Sequence, residues 1–369
     1  MYFYLQNLSP GGAQPVVLRL ANEFKRRGRV VVIIVNNLKN PFWRALADPA
    51  IEIVDLGVGN WLAASVAIAR FVRRRRPAVI VSAMTHANLA AVAGARLSFV
   101  KTRVIIAEHH ACSEWMKGLR WSRRLVYGLV LPPVYRQADG HIAVSQVAAD
   151  DLASVLGIPA RQIATIYNAA PDQQAVGELT APVHRWFAGG QDRVIVAVGR
   201  LEVQKNFELL IRAFAMLRAR LPAKLLILGE GSERQTLQAL IGALGLDSDI
   251  ELAGQVNMAI RYIKFADLFV MSSRFEGFPI VLIEALACGT PVVSTDCRSG
   301  PREILLDGAL GPLTPVGDAE ALAAAMEHTL RNPGPAAARI RRAAQFTIGE
   351  QADQYQRVVD TCGKQGLPS

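Results

Sequence analysis

Cysteine is scarce: Cys112, Cys288, Cys297 and Cys362 are the only four in 369 residues, and they lie far apart. That spacing holds neither a disulfide framework nor a zinc site, so each is expected to be structural or incidental in a reduced intracellular protein. Long apolar runs are also missing. A spanning helix needs roughly 18 apolar residues, and the densest stretch, 125 to 135, carries Pro132 and Pro133. The amino terminus opens as Met1-Tyr2-Phe3-Tyr4-Leu5, without the basic region, long apolar core and small-residue cleavage site of a signal peptide. A cytoplasmic location is the expectation. Aromatic residues make up 7% and do not interleave with the basic ones over most of their length, which matches no nucleic-acid reader motif.

What is present is apolar material for packing. Hydrophobic residues are 51% and charged residues 20%, which excludes a disordered chain. The length exceeds what one core organises, so two domains with a cleft between them are expected. The net charge of +10 is unevenly spread. Residues 1–170 hold 21 Lys and Arg against 9 Asp and Glu, and the remainder hold 20 against 22. All the excess positive charge therefore lies in the first half, which suits an anionic surface or ligand there, or simply solvated helix faces.

The first half alternates short apolar runs with helical patterns, as βαβ units do. Strands are expected at 3–6, 30–35, 51–56, 78–82, 104–107, 140–144 and 163–167, with helices near 12–27, 60–75, 85–97, 115–136 and 146–156. The last of these has an N-cap in Ser145 and a stop in Gly157 and Pro159. Residues 171–192, with Pro171, Gly177, Pro182, Gly189 and Gly190, are expected to be a linker between an N-terminal domain 1–170 and a C-terminal domain 193–345. Alternation resumes with strands at 194–198, 224–228, 250–252, 268–271 and 291–294, then helices near 317–331, 335–345 and 350–362. The predicted fold class is α/β, two doubly wound domains, with the closing segment 346–369 expected to pack back toward the first.

The most specific segment runs from Ser272 to Ala285 and sets Glu276 and Glu284 eight positions apart. Gly277 permits a tight turn and Pro279 suits a helix start, so Glu276 is left on a loop at the carboxyl end of a strand and Glu284 falls inside the helix. Backbone N–H groups near Ile280 to Leu282 would then face an anion. A capped, buried helix with an incidental surface acid accounts for the same spacing. A second segment, Gly199-Arg200-Leu201-Glu202-Val203-Gln204-Lys205, follows a strand and opens a helix. Its arginine supplies a bidentate donor set and its lysine a point charge, a pairing suited to a diphosphate.

In these segments, and in Gly11-Gly12, Val144-Ser145, Tyr167-Asn168, Gly229-Glu230-Gly231, Gly289-Thr290-Pro291 and Gly300-Pro301-Arg302, the chain resembles the glycosyl transferases group 1 family. These are retaining enzymes with two facing Rossmann-like domains, the glycosyltransferase B architecture. The resemblance implies that Arg200 and Lys205 contact a donor diphosphate, that Glu284 accepts from ribose hydroxyls, and that Glu276 reads the sugar with Gly277, Phe278, Val281 and Leu282. It implies that Gly12 admits backbone close to the phosphates, that Gly229 and Val256 lie where main-chain groups hold the base, and that His109, with His110 as the second choice, approaches the sugar. No Asp-x-Asp metal motif is recognised, so no metal is expected, and no cofactor beyond a UDP- or GDP-linked sugar; with no obvious nucleophile, front-face attack by a saccharide or lipid-linked acceptor is expected, double displacement through Glu276 being the alternative. Gln14-Pro15, Arg29 and Ala169-Ala170 depart from the family pattern.

Lys117, Arg120 and Arg124 recur at helical spacing, with Arg123 beside them and Trp115, Leu119, Trp121 and Leu125 as apolar bulk. An amphipathic helix on an anionic membrane and a core helix with solvated arginines both fit this pattern. A nucleotide-sugar epimerase or a basic nucleic-acid-binding protein are the alternative functions; a phosphorylase would need a pyridoxal-phosphate lysine and a longer chain.

Overall fold

The computed structural model describes residues 1–189 and 192–364. Gly190 of the expected linker and residues 365–369 of the expected closing segment lie outside the described residues. The chain divides into two compact units, residues 1–169 with the helix Ile348–Lys364, and residues 170–347.

The first unit is a parallel sheet of seven strands: β1 (Tyr2–Leu5), β2 (Val32–Val35), β3 (Glu52–Asp55), β4 (Val79–Ala83), β5 (Arg103–Glu108), β6 (Gly140–Ala143) and β7 (Ile163–Thr165). Their order is β3-β2-β1-β4-β5-β6-β7. Successive side chains of a strand point to opposite faces, and where both faces are covered, as at β2, the strand reads as an unbroken aliphatic run. Tyr4, Ile34, Ile80 and Ile106 pack on one side with helices Trp61–Arg75, Thr85–Leu97 and Gln146–Leu156. Phe3, Leu5, Ile33, Val81 and Ile105 pack on the other with helix Ala13–Arg26 and with Ala352, Tyr355 and Val359 of the closing helix. That helix is also tied by hydrogen bonds, Arg103 Nη1 to Val359 O at 2.8 Å and Gln351 Nε2 to Tyr167 O at 3.1 Å.

The second unit holds β8 (Arg193–Val198), β9 (Ala223–Leu228), β10 (Ile250–Gly254), β11 (Leu268–Met271), β12 (Val292–Thr295) and β13 (Leu313–Thr314), in the order β10-β9-β8-β11-β12-β13. In each unit the first strand lies between the second and the fourth. The connections diverge there, and the crevice outside the carboxyl ends of those strands is where open α/β sheets take ligands.

Three sequence expectations need correction. Residues 115–136 form two helices, Cys112–Lys117 and Trp121–Tyr135, with the turn from Gly118 to Arg120 between them. Lys117 therefore does not share a helix with Arg123 and Arg124, and its ammonium pairs with Glu114 at 2.9 Å. Pro132 and Pro133 stay inside the second helix. The bonds they cannot donate would have ended on the carbonyls of Gly128 and Leu129, both at exposed residues where water can serve them. Residues 171–192 are not a free linker: they carry a short helix, Gln173–Gly177, and group with the second unit. Strand β13, with two residues, left no run to recognise.

Candidate functional site

The loops after β8, β9 and β10 are stitched together at the carboxyl edge of the second sheet. Leu201 N–H donates to Glu230 O at 2.9 Å, and Gly229 N–H donates to Gly254 O at 2.8 Å. Gly229 has φ +147°, and a Cβ there would overlap the carbonyl of Gly199; one on Gly231 would overlap that of Leu201. Only glycine lets these loops close on each other. Val256, two residues beyond Gly254, is partly exposed on the same edge.

Across the switch point, the loop after β8 meets the loop after β11. Arg274 N–H donates to Gln204 O at 2.8 Å, Gln204 Nε2 to Phe275 O at 2.9 Å, and Ser272 Oγ to Lys205 O at 2.8 Å. These bonds bring Lys205 Nζ to 2.5 Å from Glu276 Oε1, with both side chains largely buried. Ser273 Oγ donates to the same oxygen at 2.6 Å, and Ser299 Oγ to the Glu276 carbonyl at 2.6 Å. One cation and one hydroxyl thus meet the same oxygen of Glu276, and Lys205 keeps two further N–H donors. Arg200 is exposed on the same loop.

Beyond Glu276 the chain turns through Gly277 and buried Phe278 into helix Ile280–Cys288, with Pro279 as its N-cap. The turn is pinned from behind, because Ser299 (φ +63°) and Gly300 (φ +89°) fold against it, and a Cβ on Gly300 would stand 2.5 Å from Pro279 Cδ. Leu282 N–H donates to Pro279 O at 3.2 Å, which leaves Ile280 and Val281 as the N–H groups ahead of the first bonded turn. The expected anion site is narrower by one amide than the sequence suggested. Glu284 is partly exposed one turn further on. Its charge, after burial, helps push the Cys288 thiol up to about 12. Cys297 lies close enough to Glu276 for the carboxylate to add to burial in raising its thiol.

In the first unit, His109 and His110 follow β5 at the carboxyl edge. Burial, then His110, lowers the His109 pKa to about 4, so the ring is neutral, and among the described residues its Nε2 is buried without a partner. His110 is engaged differently: it stacks on Trp115 with centroids 6.0 Å apart, and its Nε2 lies 3.4 Å from Thr85 Oγ1. His86 bonds Tyr127 Oη at 2.9 Å. Gly12 caps helix Ala13–Arg26 at φ −83°, with open space where a Cβ would be. Neither backbone shape nor crowding within the first unit demands glycine there.

One possible cation site was not legible in the sequence. Glu108, His110 and Cys112 bring donor atoms within 4.8 Å of one another. Glu108 Oε1, however, accepts from Tyr135 Oη and from Asn88 Nδ2 at 3.0 Å, and burial raises the Cys112 thiol. The sequence reading also passed over Asp247-Ser248-Asp249, an Asp-x-Asp run. It precedes β10 at the opposite edge of the sheet, where Asp249 pairs with Lys224 at 2.8 Å and Arg218 at 3.3 Å. Ser273 and Ser299 were missed as site residues as well; a hydroxyl in a loop gives no signal until the fold brings it to a carboxylate.

Comparison with known proteins adds the following. Residues 185–346 match the model of Glycosyl transferases group 1, and residues 10–174 that of Glycosyltransferase Family 4. A phosphatidyl-myo-inositol mannosyltransferase of Mycobacterium leprae is 31% identical over 335 residues, 88% of this chain and 84% of that protein. A Campylobacter jejuni N-acetylgalactosamine-N,N'-diacetylbacillosaminyl-diphospho-undecaprenol 4-alpha-N-acetylgalactosaminyltransferase is 36% identical over 222 residues, 60% of this chain. The match spans less than two thirds of that relative, 59%. Among solved structures, Anabaena HepE in complex with UDP and glucose superposes with a TM-score of 0.79 at 20% identity, over 98% of this chain and 99% of that one. At that identity the likeness shows the fold, two Rossmann-like units of the glycosyltransferase B class.

Proposed function

The chain belongs to the glycosyl transferases group 1 family, and from that premise we propose that it moves a hexose-type sugar from a UDP- or GDP-linked donor to a saccharide or lipid-linked saccharide of the cell envelope or an exported polysaccharide. The relatives named above support the setting: one is a phosphatidyl-myo-inositol mannosyltransferase and the other acts on a diphospho-undecaprenol glycan. HepE supports the donor class through its UDP and glucose.

The observation that carries the reading is the meeting of Lys205 and Glu276, from two separate loops, at the switch point of the second sheet, with Arg200 exposed on the loop that bears Lys205. A departing diphosphate gathers negative charge. Arg200, the free donors of Lys205 and the amides of Ile280 and Val281 are groups that stabilise such charge without reorganising. Glu284 accepts the ribose hydroxyls and Glu276 those of the sugar. Since Lys205 and Ser273 both draw on Oε1, Glu276 is a blunted nucleophile. That favours front-face attack, in which the leaving phosphate takes the acceptor's proton, over a covalent glycosyl-enzyme. His109, neutral and with a buried Nε2 that has no partner among the described residues, is assigned to a sugar hydroxyl. Donor binding is read as metal-independent.

A panel of UDP- and GDP-sugars in a thermal-shift assay, run with magnesium and with EDTA, tests this. One donor is expected to raise the unfolding midpoint equally in both buffers, and Arg200→Ala and Glu284→Ala to lose most of that rise. No response to any member of the panel would remove the proposal.

A further inference from the structure

Glu108 ends β5 and Cys112 opens helix Cys112–Lys117, and the chain bends at His109 and His110 between them. The bend gathers a carboxylate oxygen, a ring nitrogen and a sulfur within 4.8 Å of one another, with His110 Nδ1 at 3.7 Å from Glu108 Oε2. A tetrahedral zinc ion, bonded at about 2.0–2.3 Å to each ligand, holds such atoms about 3.3–3.7 Å apart. The nitrogen and oxygen already fit that spacing, and the sulfur has to close by roughly 1 Å at most.

The charge at this point favours a cation. Glu108 is fully buried, and among the described residues the groups bonded to it are neutral: Tyr135 Oη and Asn88 Nδ2 on Oε1, and Thr85 Oγ1 on Oε2. A buried carboxylate is costly without a positive partner. Burial, then the charges of Glu108 and Asp151, raise the Cys112 thiol, so the field there is negative. His110 Nδ1 looks onto it, buried and with no hydrogen-bond partner among the described residues.

The hydrogen bonds around the trio have the arrangement of an outer shell. Ligating carboxylates and imidazoles are normally oriented by a partner on the atom that does not meet the metal. Glu108 Oε1 is held by Tyr135 and by Asn88 at 3.0 Å, which leaves Oε2 for an ion. His110 Nε2 lies 3.4 Å from Thr85 Oγ1 and the ring stacks on Trp115, which leaves Nδ1. Magnesium and calcium select oxygen donors, whereas a mixed set of oxygen, nitrogen and sulfur suits zinc.

We propose that Glu108 Oε2, His110 Nδ1 and Cys112 Sγ form a zinc site within the first unit, with the remaining corner of the tetrahedron left to water. On binding, the thiol proton leaves to solvent and the ion ties the end of β5 to the start of the next helix, fixing the bend that carries His109. The site goes beyond the proposed sugar transfer and does not depend on the donor.

The test is titration of the full chain, stripped with EDTA and dialysed, with cobalt(II) as a spectroscopic substitute for zinc. Equimolar binding is expected, with the strong visible bands of a tetrahedral ion and a near-ultraviolet thiolate-to-cobalt charge transfer, both erased by added zinc. Cys112→Ser should abolish the charge-transfer band, while Cys288→Ser and Cys362→Ser keep it. Tyr135→Phe, which removes an outer-shell bond and little volume, should weaken cobalt binding roughly 10- to 100-fold. Circular dichroism of each metal-free variant separates lost binding from lost folding. If Cys112→Ser does not fold, His110→Gln decides by the same titration, with a loss of at least roughly tenfold expected. Absence of cobalt binding, octahedral bands without charge transfer, a band that survives Cys112→Ser, or parent-like binding by His110→Gln would overturn the site. A tetrahedral cobalt spectrum without any nucleotide-induced rise in unfolding midpoint would count against the proposed donor site and leave the zinc site standing.

Discussion

Lys205→Ala and Arg200→Ala should behave differently although both remove a cation from one loop. Lys205 is the buried partner of Glu276, so its loss strands a carboxylate and is expected to cost roughly 3 kcal/mol in urea unfolding. Arg200 is exposed, and its loss should stay within about 0.5 kcal/mol while donor stabilisation falls. His109 gives a pH signature. Its pKa is depressed from 6.5 to about 4, so the unfolded chain binds the extra proton between those values and stability rises with pH. Acidifying from pH 7 to 5 should cost roughly 2 kcal/mol through this residue, and His109→Asn should flatten that slope in pH-dependent melts. Arg200, Lys205 and Glu276 were legible in the sequence as candidates, because each stood in a loop between a strand and a helix. Ser273 and Ser299 were not, since their role follows from two segments meeting that lie far apart in the chain.

At the scale of the elements, the strands were legible because aliphatic runs such as Val32–Val35 are buried on both faces and carry no competing period. The helix break at Gly118 was hidden by apolar residues that continue the helical rhythm across it. Glycines separate by conformation. Gly229→Ala would force a side chain onto the Gly199 carbonyl at φ +147°, and an unfolding loss of roughly 2 kcal/mol or more is expected. Gly12→Ala meets open space in a helical conformation and should change stability by less than about 1 kcal/mol. If Gly12 admits phosphate to the backbone, the same variant should still lose the nucleotide response, and a full response would remove Gly12 from the site.

Across the whole molecule, the two alternations of strand and helix announced two doubly wound units, but the boundary moved. The second unit begins near Ala170 because Lys264 Nζ bonds Val176 O at 2.5 Å and Arg185 pairs with Glu251 at 3.0 Å, contacts between residues 66 to 88 positions apart that no local pattern reveals. The closing helix belongs to the other unit. Removing residues 348–369 should uncover Phe3, Leu5 and Ile33 and lower the melting of the first unit selectively, read by hydrogen exchange in β1 and β2. A consequence concerns birth order. The ribosome emits the first sheet early, then needs roughly 10 to 35 seconds to make residues 170–347 before the helix that covers one of its faces can emerge. The unit synthesised later is therefore the first to be complete, and the earlier one waits with an apolar flank open to chaperones until the helix Ile348–Lys364 has been made.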